Sequence, residues 1–112
     1  MAKFYTFKTI DLGSVAANAS VEKSWPSDDN YIIHKIFLVE KTGASLKKFV
    51  VTIWIDSVSL MKENTSAYLF DATLPNMPVL DVELTVDRVF RIAATNQEAA
   101  SRDVYCILEL WK

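Results

Sequence analysis

Apolar residues recur at every second position along most of this chain, and the two strongest runs, residues 31–39 and 49–55, flank one short polar segment. Alternation with period two marks a β-strand, because successive side chains leave a strand on opposite faces. No window of a dozen residues sustains the 3.6-residue period of an amphipathic helix. The pattern predicts strands at 3–10, 14–22, 30–40, 48–56, 57–61, 66–71, 79–86, 88–94 and 103–111. Turn formers fall between these runs: Asp11 to Ser14 around Gly13, residues 25–30 after Trp25 and Pro26, residues 41–45 around Gly43, and a rigid loop bracketed by Pro75 and Pro78. Residues 95–102 read as a loop with room for one helical turn.

The faces of these strands set the expected architecture. Residues 31–39 are apolar on both sides, which suits a central strand covered twice, and the short 41–45 loop is expected to make the two apolar strands antiparallel neighbours. Leu80, Val82, Leu84 and Val86 alternate with Asp81, Glu83 and Thr85. Phe90, Ile92 and Ala94 are expected to face inward, as are Val104, Cys106, Leu108 and Leu110, with Tyr105, Ile107, Glu109 and Trp111 on the opposite face. With only two glycines, Asn and Asp must take much of the left-handed turn geometry. The layout predicts an all-β fold in which residues 1–112 form a single-domain antiparallel β-sandwich of about eight strands, wired like a jelly roll. An immunoglobulin domain would usually carry a Cys, Trp, Cys spacing, and none is present.

Composition narrows the classes. The chain is 51% hydrophobic and 23% charged, so it has the apolar content for one real core and is not a disordered tail. Net charge is −2 with both signs scattered, which argues against a nucleic-acid partner. Residues 1–8 lack a continuous apolar stretch and do not read as a signal peptide, and no apolar run approaches the ~20 residues of a membrane span. Cys106 stands alone and alternates with apolar residues, as a buried inert thiol does.

Candidate chemistry is sparse. Asp28, Asp29, Asp56, Asp71, Asp81, Glu83, Asp87 and Asp103 are plentiful carboxylates, but no spacing singles out a catalytic pair. His34 is the only histidine, too few for a His-rich metal site, and is expected in the core or at an interface, hydrogen-bonded to a neighbour. At a symmetry axis it would make an oligomer contact sensitive to pH. Calcium is the most plausible metal, at Asp28, Asp29 and Asn30, yet three polar residues after a proline more often make a turn. Gly13 and Gly43 are isolated, so no phosphate loop exists. The expectation is no enzyme, no catalytic residue, no cofactor and no bound metal. Trp25, placed in a loop, and Tyr68, placed in a short strand, are the credible platforms for stacking a sugar.

From Asp81 to Ala94 the chain runs strand, tight bend, strand, and after a polar loop closes with the strand from Asp103 to Trp111. In this layout it resembles the small β-sandwich structural proteins of bacterial and archaeal viruses, which decorate capsids, cement capsomers or build spikes and tails. The resemblance implies a non-enzymatic assembly part, commonly a trimer or pentamer, that docks to other virion proteins and resides in the virion or the host cytoplasm. The residues add a reason of their own. Tyr5, Phe7, Tyr105, Ile107 and Trp111 fall opposite the predicted core, where such side chains suit a partner surface. The alternative is a carbohydrate-binding module using Trp25 and Tyr68.

Overall fold

The computed structural model describes residues 5–61, 65–72 and 79–112. The first half contributes β1 (Tyr5–Val15), β2 (Ser20–Pro26), β3 (Tyr31–Glu40) and β4 (Phe49–Ile55). Two short strands follow, β5 (Val58–Ser59) and β6 (Thr65–Ser66), and a 3₁₀ turn at Ala67–Phe70. Then come β7 (Val82–Leu84), β8 (Val89–Asn96) and β9 (Arg102–Trp111). Among the described residues no helix is long and apolar enough to cross a membrane.

These strands form two antiparallel sheets. One has four strands in the order β1, β9, β3, β7, and the other has five, in the order β2, β8, β4, β5 with β6 also against β4. The pairings are nested: β1 with β9, β2 with β8, β3 with β7, and β4 with β5. A long hairpin rolled over itself gives this order, which is that of a jelly roll. Inward side chains of both sheets meet in one core that includes Leu12, Ile36, Phe49, Ile53, Phe90 and Leu108. The alternation predicted for β8 and β9 is the observed one, with Phe90, Ile92, Ala94, Val104, Cys106, Leu108 and Leu110 all buried.

Two bulges set the register of the four-stranded sheet. In β1 the pairing with β9 shifts between Asp11 and Gly13, so Gly13, at φ +73°, sits in a bulge inside a strand and not in the turn expected there. The chain leaves β1 only after Val15, with Asn18 taking a left-handed φ of 58°. In β3 the pairing with β9 shifts between Ile33 and Lys35, with His34 as the extra residue. Ile33, Ile36, Leu38 and Glu40 therefore face inward, although Ile33 and Ile36 are three positions apart.

Other expectations change as well. β3 and β4 are not neighbours: they lie in different sheets, and residues 41–48 cross between the layers. Leu46, fully buried, fills the end of the sandwich along this crossing. β3 is central, but its outer face is covered only in part, and Ile32 there is 40% exposed. Trp25 and Pro26 belong to β2, not to a loop. Tyr68 is on the 3₁₀ turn, where the Tyr68 N–H donates to the Ser66 hydroxyl, and not in a strand. The 79–86 run shortens to three residues because Asp81, at φ 49°, and Asp87, at φ 68°, turn the chain on either side. The loop bracketed by Pro75 and Pro78 lies outside the described residues.

A buried carboxylate organises the crossing from β3. Glu40 is 5% exposed, and its side chain accepts hydrogen bonds from the Thr42 N–H and hydroxyl, the Ala44 N–H and the Asp103 N–H. Burial by itself would raise its pKa, but these donors together outweigh that effect and hold the carboxyl below the ordinary glutamate value. Removing it leaves several backbone donors without an acceptor. Glu40→Ala is expected to lower the unfolding free energy by about 3 kcal/mol at pH 7, read by urea denaturation. Because the folded value is depressed, the stability Glu40 contributes is present above pH 4.5 and is lost as pH falls below it, so the gap between wild type and variant narrows in acid.

Candidate functional site

The outer face of the four-stranded sheet is the unusual surface of this molecule. Its side chains fall into cross-strand rows set by the register: Tyr5, Trp111, Ile32 and Glu83; then Phe7, Glu109 and Lys35; then Thr9, Ile107 and Phe37; then Asp11, Tyr105 and Val39. Tyr5 is 53% exposed and Phe7 61%. Trp111, Ile107, Phe37, Tyr105 and Val39 are half-buried by one another. Large apolar side chains grouped in this way, here with the Glu109 and Lys35 pair set among them, are what partner surfaces present. The outer face of the other sheet is different. There the rows are Ser20, Thr95 and Val50; Glu22, Ala93 and Thr52; and Ser24, Arg91 and Trp54, mostly small or hydroxylated, with Glu22 beside Arg91 and the Arg91 guanidinium 4.1 Å over the Trp54 ring.

Trp111 anchors one end of the apolar face. The His34 imidazole stacks on its indole with centroids 3.6 Å apart and planes 18° from parallel, while the Tyr5 ring meets it at 87° and 5.0 Å. The bulge in β3 gives His34 this position, since the extra residue stays on the outer side. His34 Nδ1 lies 2.7 Å from Asp81 Oδ1, and Nε2 lies 3.8 Å from Glu109 Oε2. Glu109 Oε2 is buried and has no hydrogen-bond partner among the described residues. Beside Trp111, a hollow of about 260 Å³ opens among Tyr31, Ile32, Glu83, Thr85 and Lys112. At the other end, Lys41 Nζ sits 4.3 Å over the Tyr105 ring and 3.4 Å from Asp11 Oδ2. The Gly13 N–H, with a smaller contribution from Lys41, holds the Asp11 carboxyl below the usual aspartate range.

Of the residues singled out by sequence, this face gathers His34, Tyr105 and Trp111 but not Trp25 or Tyr68. Trp25 packs against the core from the edge strand β2, with Lys8 Nζ 5.4 Å over its ring and Tyr31 tilted beside it at 6.3 Å. Tyr68 is at the opposite side of the five-stranded sheet, with Lys47 Nζ 5.1 Å over its ring. The two aromatics share no platform. Asp29 and Asn30 act as turn residues: Asp29 accepts from the Asn30 N–H and pairs with Lys112, and Asn30 accepts from the Val86 N–H. Among the described residues no group of three or more His, Cys, Asp or Glu is placed to hold a metal ion. Burial pushes the Cys106 thiol up to about 12, which leaves it un-ionised at neutral pH. An apolar cavity of about 170 Å³ between the sheets, lined by Ile36, Ile53, Phe70 and Leu80 among others, offers Thr65 as its one polar lining residue.

Sequence reasoning missed Ile32, Lys35 and Phe37 as members of the outer face, because an unbroken alternation cannot assign both Ile33 and Ile36 inward. The stack of His34 on Trp111 is expected to couple the two side chains. A double-mutant cycle of His34→Ala and Trp111→Phe, read by chemical denaturation, should return a coupling of about 1 kcal/mol.

Comparison with protein-family models, with curated proteins and with solved structures gave no match to this chain, so its chemistry is read from this surface alone.

Proposed function

We propose that the protein is a non-enzymatic structural or accessory virion component that oligomerises and docks to other coat components, with the outer face of the four-stranded sheet as its contact surface. The observation that carries this reading is the large apolar side chains from Tyr5 and Phe7 across Trp111 and Ile107 to Phe37 and Ile32, spread over three strands and crossed by one charged pair, Glu109 and Lys35. A protein that worked alone would gain by covering or replacing such residues, since each exposes area that water disfavours. Jelly-roll order supports the reading at the level of analogy only. Viral coat domains use it, and so do lectins and cupins.

The two sheet faces divide the labour in this reading. The hydroxyl-rich face of the five-stranded sheet suits water, and the aromatic face suits protein. The rival, a sugar-binding module, needs an accessible aromatic plane, and the lysines over Trp25 and Tyr68 stand where a sugar ring would stack.

Size-exclusion chromatography with light scattering, run at about 10–100 µM, is expected to give a mass above that of one chain. A monomer throughout that range overturns the proposal. Binding on a glycan array that disappears in Trp25→Ala would favour the sugar-binding reading instead.

A further inference from the structure

The rows of the four-stranded sheet have a property that a generic partner surface does not need. β9 and β3 lie side by side, and their register partners on the outer face are Trp111 with Ile32, Glu109 with Lys35, Ile107 with Phe37, and Tyr105 with Val39. A two-fold axis lying in the interface plane, parallel to the strands and between β9 and β3, exchanges the two strands. It sets each residue of a pair over its own register partner in a second copy. We propose that this face binds a second copy of the same chain, face to face, about such an axis. The inference rests on the reading of this face as an assembly surface and adds the identity and geometry of the partner.

Charge favours a second copy over other occupants. Under the axis, Glu109 of one copy meets Lys35 of the other, twice, and in the remaining β9 and β3 pairs apolar or aromatic residues meet one another. The Glu109 side chain is 21% exposed on this face, and the Lys35 ammonium of the second copy stands over it. A partner of single sign would match only one member of each Lys35 and Glu109 pair.

Shape agrees. The same axis carries β1 of one copy over β7 of the other, because these strands are the two edges of the sheet. Tyr5, the exposed ring on β1, stands in the row that ends at Glu83 on β7, where the hollow beside Trp111 opens. An aromatic knob thus faces a hollow of about 260 Å³ at two symmetric places.

Area sets the strength. β9 and β3, about 4.8 Å apart and about 33 Å long, overlap along their length, while β1 overlies only the three residues of β7, which gives roughly 400 Å² in plan per copy, or about 800 Å² for the pair. That is the size of a weak contact, so a dissociation constant of about 10 µM or above is expected.

Pairing through sheet edges is less suited to this chain. β1 is a long edge strand, but Lys8 points inward from it towards Trp25 and a bulge interrupts it at Leu12, both devices that discourage a further strand. The edge strand β2 ends in Pro26 and exposes Glu22 and Lys23. The contact is two-fold and would join, not replace, any three-fold or five-fold contact of a larger assembly.

The register supplies its own test. Lys35→Glu places two carboxylates across the interface, and Glu109→Lys places two ammonium groups there. Each variant alone is expected to weaken self-association at least tenfold by light scattering, whereas an equimolar mixture of the two should form heterodimers, seen by native mass spectrometry, with near wild-type affinity. Val58→Glu, on the short strand β5 of the other sheet, should leave association unchanged. Independently of stability effects, Tyr5→Cys and Glu83→Cys proteins, mixed and treated with a bis-maleimide cross-linker of about 10 Å span, the spacing of sheets packed face to face, should yield the hetero-cross-linked pair. Each chain then carries one reactive cysteine, because buried Cys106 stays unreactive. A wild-type monomer would overturn the assembly reading and this inference together. An oligomer that persists in both charge variants, with no hetero-cross-link, would leave the assembly reading standing and overturn the two-fold face.

Discussion

One additional residue in β3 decides which side of the sheet every later residue of that strand faces. Side chains alternate with period two, so a shift of one position exchanges the inner and outer sets. With His34 extruded opposite β9, Ile36 and Leu38 enter the core and Glu40 reaches the backbone donors of residues 42–44. An unbroken β3 would put Lys35, Phe37 and Val39 inside and turn Ile36, Leu38 and Glu40 outward. The bulge therefore underlies both the core of the four-stranded sheet and the composition of its outer face, and it brings the imidazole onto Trp111. Leu80 supports this place from outside, its N–H donating to the His34 carbonyl at 2.9 Å.

The two sheets meet in one core but show solvent different chemistries. On the five-stranded sheet the outer positions are mostly small or hydroxylated, and the one large ring, Trp54, lies under Arg91. On the four-stranded sheet large apolar side chains occupy the outer positions of β1, β9 and β3. Strands buried on one face would be expected to alternate apolar with polar, and β9 does so only in part: Tyr105, Ile107 and Trp111 accompany two charged residues, Asp103 and Glu109. An apolar second face has no role in holding the monomer's core. Its retention is the physical reason to place the protein's work on that side.

Much of this was legible in the sequence where alternation was unbroken. β8 and β9 could be assigned residue by residue, and Tyr5, Phe7, Tyr105, Ile107 and Trp111 could be set on an outer face before any coordinates. The scarcity of glycine also read correctly: Asn18, Asp56, Asp81 and Asp87 take left-handed φ values beside Gly13 and Gly43. Bulges were not legible, because an inserted residue changes pairing without changing composition, and β3 looked merely apolar on both sides. The separation of β3 from β4 was hidden for a different reason. A short polar segment suits a hairpin, and only the buried Leu46 and the acceptor role of Glu40 turn residues 41–48 into a bridge between layers. The short strand expected at 66–71 gave way to a 3₁₀ turn because Ser66 caps the following N–H. Local side-chain hydrogen bonding of that kind competes with ladder formation.

Nesting has a further consequence for how the chain reaches this state. Tyr5 pairs with Trp111, and β2 with β8, so the pairs that close the two sheets join segments from opposite ends of the sequence. Among the described residues only β4 and β5 form a tight local hairpin. On a ribosome β1 and β2 emerge long before β9 and β8 exist, and they must wait unpaired with Phe7 and Trp25 solvated. Loops of such length are slow to close, and folding dominated by distant contacts runs on the scale of milliseconds to seconds. The inward lysine and the bulge of β1 then matter most before the fold is complete, when a waiting strand is open to the wrong neighbour.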